Sequence, residues 1–219
     1  MSAHTRGLID VKLLSSGIVQ RLPIENSALF REIYVWRCYE RERLVKPGDI
    51  VVDAGAMTGI FTLKAAAQKA SKILAFEPFF PSYLLLRKNI KWNKLKNVIA
   101  FNIALSNRNE ERKLWVHEAP GSQTFRKETE EFVMVPTMKL DDVLEEEGVD
   151  HVDFIKIDVE GWEIPVLMGA NEILKQAPIH LGIAGYHYPE QLAELSELLI
   201  SREFNVKTLW ERYLYAWKD

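Results

Sequence analysis

Ile50-Val51-Val52-Asp53-Ala54-Gly55-Ala56-Met57-Thr58-Gly59 decides how this chain is read. Ile50, Val51 and Val52 form a short apolar run of the kind that makes a buried strand, and Asp53 closes it. The glycines that follow let the backbone turn tightly and come close to a ligand. The apolar, alanine-rich run Ile60–Ala67 predicts a helix starting at that turn. Ile73-Leu74-Ala75-Phe76 predicts a second strand, ended by Glu77 a little over twenty residues after Asp53. Strand, turn, helix, strand and acid in this order make a nucleoside-binding unit, in which the second acid takes the ribose hydroxyls.

The glycine spacing departs from the G-x-G-x-x-G pattern that cradles a pyrophosphate, and Asp53 stands where a phosphate would be repelled. Two carboxylates suit a ligand that joins a ribose to a cationic amino-acid tail, as S-adenosylmethionine does. The alternative is an ordinary βαβ crossover with a glycine-rich turn. Two acids at consecutive strand ends favour the nucleoside site.

At 219 residues the chain has room for one α/β domain and needs no second core. The expectation is a single domain over 1–219, with a hairpin and helix over 1–45 ahead of a core over 46–219. An apolar fraction of 47% and a charged fraction of 27% are those of a soluble globular protein. A formal net charge of −3 gives no global attraction to nucleic acid or to anionic membranes. Cys38 is the only cysteine, so no internal disulfide forms. The Met1–Arg6 stretch leads into no apolar core of signal-peptide length, and no run approaches the ~18 apolar residues of a membrane span. A soluble, cytoplasmic protein is expected.

Around the central unit, Leu8 to Gln20 alternates about Ser15-Ser16-Gly17 and predicts a hairpin. Ala28 to Leu44 places Leu29, Ile33, Trp36 and then Glu40 or Leu44 at helical spacing. Beyond Glu77, Ser82 is expected to cap a helix ending near Asn93, and Val98–Phe101 to form the third strand. Val152–Asp158 and Ile179–Ile183 read as the fourth and fifth strands, with a helix between them that tolerates Pro165 in its first turn. A helix opened by Pro189 precedes a terminal hairpin of Phe204–Trp210 and Tyr213–Trp217. Such alternation predicts a mainly parallel sheet with helices on both faces. Arg112–His117 and Glu131–Thr137 break the rhythm as two strands flanking the polar loop Glu118–Glu130, which contains Gly121-Ser122-Gln123-Thr124. A loop of that length is usually functional or disordered, and this one is placed to fold over the carboxyl ends of the sheet, where ligands bind.

Lys156, Asp158 and Glu160 alternate at the end of the fourth strand and would share one face. Three charges there are costly to bury unless they pair or meet a ligand. Lys156 either belongs to a site or simply pairs with Asp158 or Glu160 to tie down the turn at Gly161. His187, after the fifth strand, is either a base that reaches the same crevice or a turn residue. His4, His117, His151 and His180 have no sequence partners and are assigned structural roles. Glu145-Glu146-Glu147 reads as a solvated helix end. Asp158, Glu160 and His187 lack a compact metal-ligand motif, so no metal is assigned.

The motifs Val52–Gly59, Phe76-Glu77-Pro78, Asn102-Ile103-Ala104-Leu105-Ser106, Met138-Lys139-Leu140-Asp141-Asp142 and Ile155-Lys156-Ile157-Asp158-Val159-Glu160-Gly161 occur in that order. Together they resemble the FkbM-type methyltransferases, a branch of the class I S-adenosylmethionine-dependent enzymes, from about Ala28 to His187. The Lys-Ile-Asp-Val-Glu-Gly block is the most specific piece. The resemblance implies a Rossmann-like class I methyltransferase fold, α/β, with a mainly parallel seven-stranded sheet ending in an antiparallel hairpin. It also implies methyl transfer, commonly to a hydroxyl oxygen of a small molecule or glycan. By position, Asp53 and Gly55, within the turn that holds Ala54, Ala56 and Gly59, would lie along the methionine. Glu77, followed by Pro78, would hold the ribose, and Asn102, Ile103 and Ala104 would flank the adenine. Asp158 would sit near the methionine amine or the acceptor. Two positions depart from the family: Met57 stands where many members have Asn, and Gly185 stands where members often have the Glu of a Glu-x-His.

For transfer to an alcohol, His187 is the first expected base, then Glu160, with Asp158 positional. Three rival readings stand beside this one. An RNA or protein methyltransferase would use the basic stretch Arg87, Lys88, Lys91, Lys94 and Lys96, which is expected to face solvent on an outer helix. A nucleotide-dependent oxidoreductase lacks its glycine pattern. A non-catalytic nucleoside-binding module would keep only the cofactor pocket.

Overall fold

Successive residues of a strand face opposite ways, and in the central strands of this chain both faces are apolar, so each must be covered. The computed structural model describes residues 7–12, 16–117, 123–126 and 128–219. Its elements run β1 (Leu8–Lys12), β2 (Val19–Pro23), α1 (Ser27–Arg31, continued by a π-helical stretch over Glu32–Trp36), β3 (Ile50–Ala54), α2 (Ile60–Ala67), β4 (Lys72–Phe76), α3 (Phe80–Trp92) and β5 (Val98–Phe101). They continue as β6 (Ala104–Leu105), β7 (Glu110–Trp115), β8 (Phe132–Met138), α4 (Leu140–Glu146), β9 (Phe154–Ile157), α5 (Glu163–Met168), β10 (Ile179–Ala184), α6 (Gln191–Ser201), β11 (Asn205–Leu209) and β12 (Tyr213–Lys218).

Seven strands form one sheet in the order β11-β12-β10-β9-β3-β4-β5. β12 alone runs against its neighbours β10 and β11; the other pairings are parallel. This is the expected mainly parallel sheet with a terminal antiparallel hairpin. Val52, Leu74, Ile155 and Ile183 turn to one face, where α4, α5 and α6 cover them with Leu140, Val143, Val166, Leu167, Leu195 and Leu199. Val51, Ile73 and Phe154 turn to the other, beneath Ile60, Phe61 and Ala65 of α2 and Leu22 of the N-terminal hairpin. Burying side chains of this size contributes about 1.5–3 kcal/mol each. Among the described residues no helix is long and apolar enough to cross a membrane.

Several local expectations are corrected. The first helix stops at Trp36, because Arg37 takes a left-handed conformation (φ 52°). Glu40 therefore turns inward, where it pairs with Lys64 and accepts the Val45 N–H at 2.8 Å. Ser82 does not cap α3. That helix begins at Phe80 with a proline in its first turn and has no side-chain cap bond. The fourth strand ends at Ile157, so Asp158 and Glu160 lie beyond it, and strict alternation does not set their directions. The two strands around the polar loop pair with each other, and β8 also pairs with β6, in a small separate sheet. At the end of α4, Glu145 and Glu146 are exposed while Glu147 is half-buried, so the expected solvated run of three is only partly so. Met1–Arg6 with His4, Ser15 of the first hairpin turn, and Glu118, Gly121 and Ser122 of the loop lie outside the described residues.

Lys156 pairs with neither Asp158 nor Glu160. β3 and β9 are adjacent, and their register sets Asp53 opposite Lys156. Nζ lies 3.1 Å from Asp53 Oδ1 and donates to the carbonyls of Ala54 at 3.0 Å and Gly55 at 2.6 Å. Thr62 of α2 donates its hydroxyl to Asp53 Oδ2 at 2.6 Å. Burial works to strip the Lys156 proton, yet the Asp53 and Asp158 carboxylates outweigh it and hold the ammonium pKa above its ordinary value. Replacing Lys156 by Met leaves Asp53 buried without a cation. The expected cost is about 3–5 kcal/mol, read as a lower urea midpoint; a loss under about 1 kcal/mol would show that the pair does not hold these strands together.

Candidate active site

The carboxyl ends of β3, β4, β5 and β9 open into a cleft with a cavity of about 250 Å³, at the point where strand order reverses between β3 and β9. Of the residues singled out in the sequence, Gly55, Glu77, Pro78, Ile103, Ala104, Asp158 and Glu160 line it. Gly55 sits at φ 76°, and a Cβ there would run into the carbonyl oxygen of Asp158, so only glycine lets the two strand ends approach this closely.

Glu77 anchors one half. Its Oε2 accepts the Met57 N–H and its Oε1 the Phe79 N–H, both at 2.8 Å. Burial pushes its carboxyl up to about 7, against the pull of those two backbone donors. Asn102 does not line the cleft. Its amide folds back to donate to the carbonyls of Glu77 and Pro78, both at 2.9 Å, and so braces the turn that presents Glu77. Where Met57 departs from the family, Asn26 arrives from the N-terminal segment. It lines the cleft and places its amide 3.9 Å from the Met57 sulfur.

Asp53, Ala54, Ala56 and Gly59 are not on the wall. Asp53 is fully buried, and its carboxylate is engaged by Lys156 and Thr62 behind the glycine turn. Ala54 and Ala56 are buried, and Gly59 makes the left-handed entry into α2.

The other half is a knot of charge. Asp158 Oδ2 accepts the Tyr39 hydroxyl at 2.6 Å, and its Oδ1 lies 3.3 Å from His187 Nε2. Glu160 Oε2 is 3.8 Å from the same nitrogen. On the opposite side of the ring, His187 Nδ1 is 3.3 Å from Glu163 Oε1. Burial opposes a charged imidazole, but the carboxylates of Asp158, Glu163 and Glu160 win and hold the proton up to about 9. Burial would raise Asp158, yet His187, Lys156 and Tyr39 bring it down to about 2. Burial and the nearby Asp158 charge push Glu160 up to about 7, against His187. Asp158, Glu163 and His187 gather three donor-capable atoms within 4.8 Å. The two acids approach different ring nitrogens, however, which is the arrangement of an imidazolium held from both sides.

His187 thus stands behind the wall, with its side chain 8% exposed, while Glu160 forms the wall at 35%. At Gly185, where the family often has a glutamate, a Cβ would lie 2.7 Å from Leu192 Cδ1, so a side chain there would require that leucine to shift. Glu163 faces the histidine instead. Sequence reading missed Glu163, Tyr39 and Tyr186. Only Glu163 had a signal, as a further acid just beyond Gly161. Tyr39 comes from a remote loop, and Tyr186 lines the cleft beside His187. Of the other histidines, His151 lies 2.9 Å from Asp153 and His180 sits half-buried on β10.

Residues 53–206 match the family described as the methyltransferase FkbM domain. Methyltransferase sdnD of Sordaria araneosa is 32% identical over 203 residues, a match covering 77% of this chain and 77% of the relative. The 31-O-demethyl-FK506 methyltransferase FkbM of Streptomyces tacrolimicus is 26% identical, covering 72% of this chain and 78% of that protein. The crystal structure of methyltransferase FkbM from Methylobacillus flagellatus KT superposes with a TM-score of 0.63 at 17% identity, over 86% of this chain; the match covers 48% of that longer chain. A cleft at the switch point of this sheet and a family match over most of the chain agree: the protein belongs to the FkbM family of S-adenosylmethionine-dependent methyltransferases.

Proposed function

We propose that the cleft takes S-adenosylmethionine at its Glu77 end and that the protein methylates a hydroxyl oxygen of a small molecule or glycan. The observation that carries this reading is charge. The charge-bearing side chains on the wall are the carboxylates of Glu77, Asp158 and Glu160, and among the described residues no lysine or arginine lines it. A sulfonium ligand with an ammonium tail is stabilised there, and a pyrophosphate is repelled. That disfavours the dinucleotide oxidoreductase.

The residues fit the cofactor. Each Glu77 oxygen accepts one backbone N–H and keeps a lone pair for a ribose hydroxyl. Gly55 and Met57 would run along the methionine, Ile103 and Ala104 along the adenine, and Asp158 would face the ammonium group. When bound, the cofactor supplies an activated methyl group on its sulfonium. The protein must hold an acceptor hydroxyl in line and remove its proton. Glu160 is the base, because it is on the wall and titrates near neutral pH. His187 keeps its own proton at pH 7 and has no lone pair to offer; it positions Asp158 and Glu160. This reverses the order expected from sequence. Phe125, Trp162 and Tyr186 give the acceptor an apolar wall. Arg87, Lys88, Lys91, Lys94 and Lys96 are exposed and off the cleft, so nothing here favours an RNA acceptor.

Calorimetric titration with S-adenosylhomocysteine tests the cofactor site. Glu77→Gln should weaken binding by tenfold or more, about 1.5–3 kcal/mol for hydrogen bonds to a charged group. Wild-type affinity should fall as pH drops through about 7, where Glu77 gains a proton. Equal affinity for the variant would remove Glu77 from the ribose.

Methyl transfer from labelled cofactor to an acceptor found by screening tests the base. Turnover should rise through about pH 7 as Glu160 ionises and fall above about 9 as His187 loses its charge. Glu160→Gln should cut turnover by roughly 10²–10⁴-fold and leave S-adenosylhomocysteine affinity in place. A profile flat across pH 7 would rule out this assignment.

A further inference from the structure

Glu160 presents its carboxylate from a backbone that residues with a Cβ avoid. Its φ is 55°, and Gly161 follows at 92°. Such a conformation persists only where its surroundings hold it. The surroundings here are Glu163, whose Oε1 accepts the Val159 N–H at 3.0 Å and the Gly161 N–H at 3.3 Å, and four described residues of the polar loop. Thr124, 8% exposed, donates its hydroxyl to the Glu160 carbonyl at 2.6 Å and accepts the Arg126 N–H at 3.1 Å. The threonine is itself fixed to β7. Its N–H donates to the Trp115 carbonyl at 3.1 Å, and the Trp115 N–H donates back at 2.9 Å.

The neighbours of Thr124 reinforce the contact. Phe125 packs on Trp162 with ring centroids 5.2 Å apart. Arg126 passes where a Cβ of Gly161 would stand, its Cδ only 2.6 Å from that point, and lays its guanidinium 3.6 Å above the Tyr188 ring. Residues 123–126 therefore grip the turn after β9 and the turn after β10 together, while Gln123 and Phe125 form cleft wall.

We propose that Thr124 is a positioning residue: its hydroxyl holds the Glu160 peptide in the left-handed conformation that keeps the carboxylate on the cleft wall beside Asp158 and His187. The Glu160 carbonyl is then held from the loop by Thr124, while the N–H of the same peptide is held from α5 by Glu163. The proposal rests on Glu160 being the base. Without the hydroxyl, the Glu160–Gly161 peptide relaxes and the carboxylate swings out to water.

The test is NMR titration of ¹³C-labelled glutamate carboxyls in the full chain, with Glu160 assigned by its disappearance in Glu160→Gln. Wild type should titrate near 7. Thr124→Val, equal in shape but without the hydroxyl, should move the midpoint toward the ordinary glutamate value of about 4.3. Thr124→Ser should keep it near the wild-type value. S-adenosylhomocysteine binding, read by calorimetry, should be unchanged in both variants, since Thr124 does not line the cleft. A wild-type midpoint already at the ordinary value removes Glu160 as base and this proposal with it. A near-neutral wild-type midpoint that Thr124→Val leaves in place overturns the role of Thr124 alone. If Thr124→Val does not fold, amide exchange in the wild type decides. The Gly161 and Trp162 amides should exchange with those of Thr124 and Arg126 as one unit; exchange of the first pair about tenfold faster refutes the clamp.

Discussion

The buried pair of Asp53 and Lys156 is the constraint on which the rest of this structure depends. Two charges lie in the centre of a sheet, where water cannot reach them, so each must find its whole complement of partners in protein. Asp53 takes Lys156 and the Thr62 hydroxyl, and Lys156 takes Asp53 and two carbonyls of the glycine turn. The adjacent strands β3 and β9, the helix α2 and the turn at Gly55 are thereby tied at one point. Hydrophobic burial on either face would tolerate a slightly different spacing of these elements. A buried ion pair whose ammonium also donates to two carbonyls does not, because a shift of an ångström leaves a charge unpaired.

Where the two strands end, the same logic produces the site. Asp158 emerges from β9 against Gly55 and meets Tyr39, His187 and, across the ring, Glu163. Packing acids this closely raises the cost of ionising any one of them, and the imidazolium is the counter-charge that makes the cluster tolerable. The result is a graded set: Asp158 brought down to about 2, Glu160 raised to about 7 and His187 raised to about 9. Groups with separated proton affinities within one cluster are suited to divide positioning from proton transfer.

Much of this was legible in the sequence because it is local. Apolar runs of strand length, the glycine turn, the acid at the end of the second strand and the block around Lys156 follow from spacing alone. They located the sheet, the cleft and the positions of Glu77, Asp158 and Glu160. Failures came where a residue's partner lies far along the chain. The helix expected to reach Leu44 stops at Trp36, where Arg37 turns left-handed, and Glu40 then finds its partner in Lys64, 24 residues on. His187 stands alone in the sequence, and its three carboxylate neighbours are gathered around it only by the fold.

The sequence by itself determined the order of strands and helices, the two-sided apolar sheet and the presence of acids at its carboxyl edge, since these depend on periodicity and residue type within short windows. The tertiary structure decided what each acid does. Asp53, Asp158, Glu160 and Glu163 are chemically near-identical in the sequence, and their roles diverge only through burial and through partners brought from residues 39, 62, 124, 156 and 187. Proton affinity is set by the field of those neighbours, and that field exists only once the chain has folded.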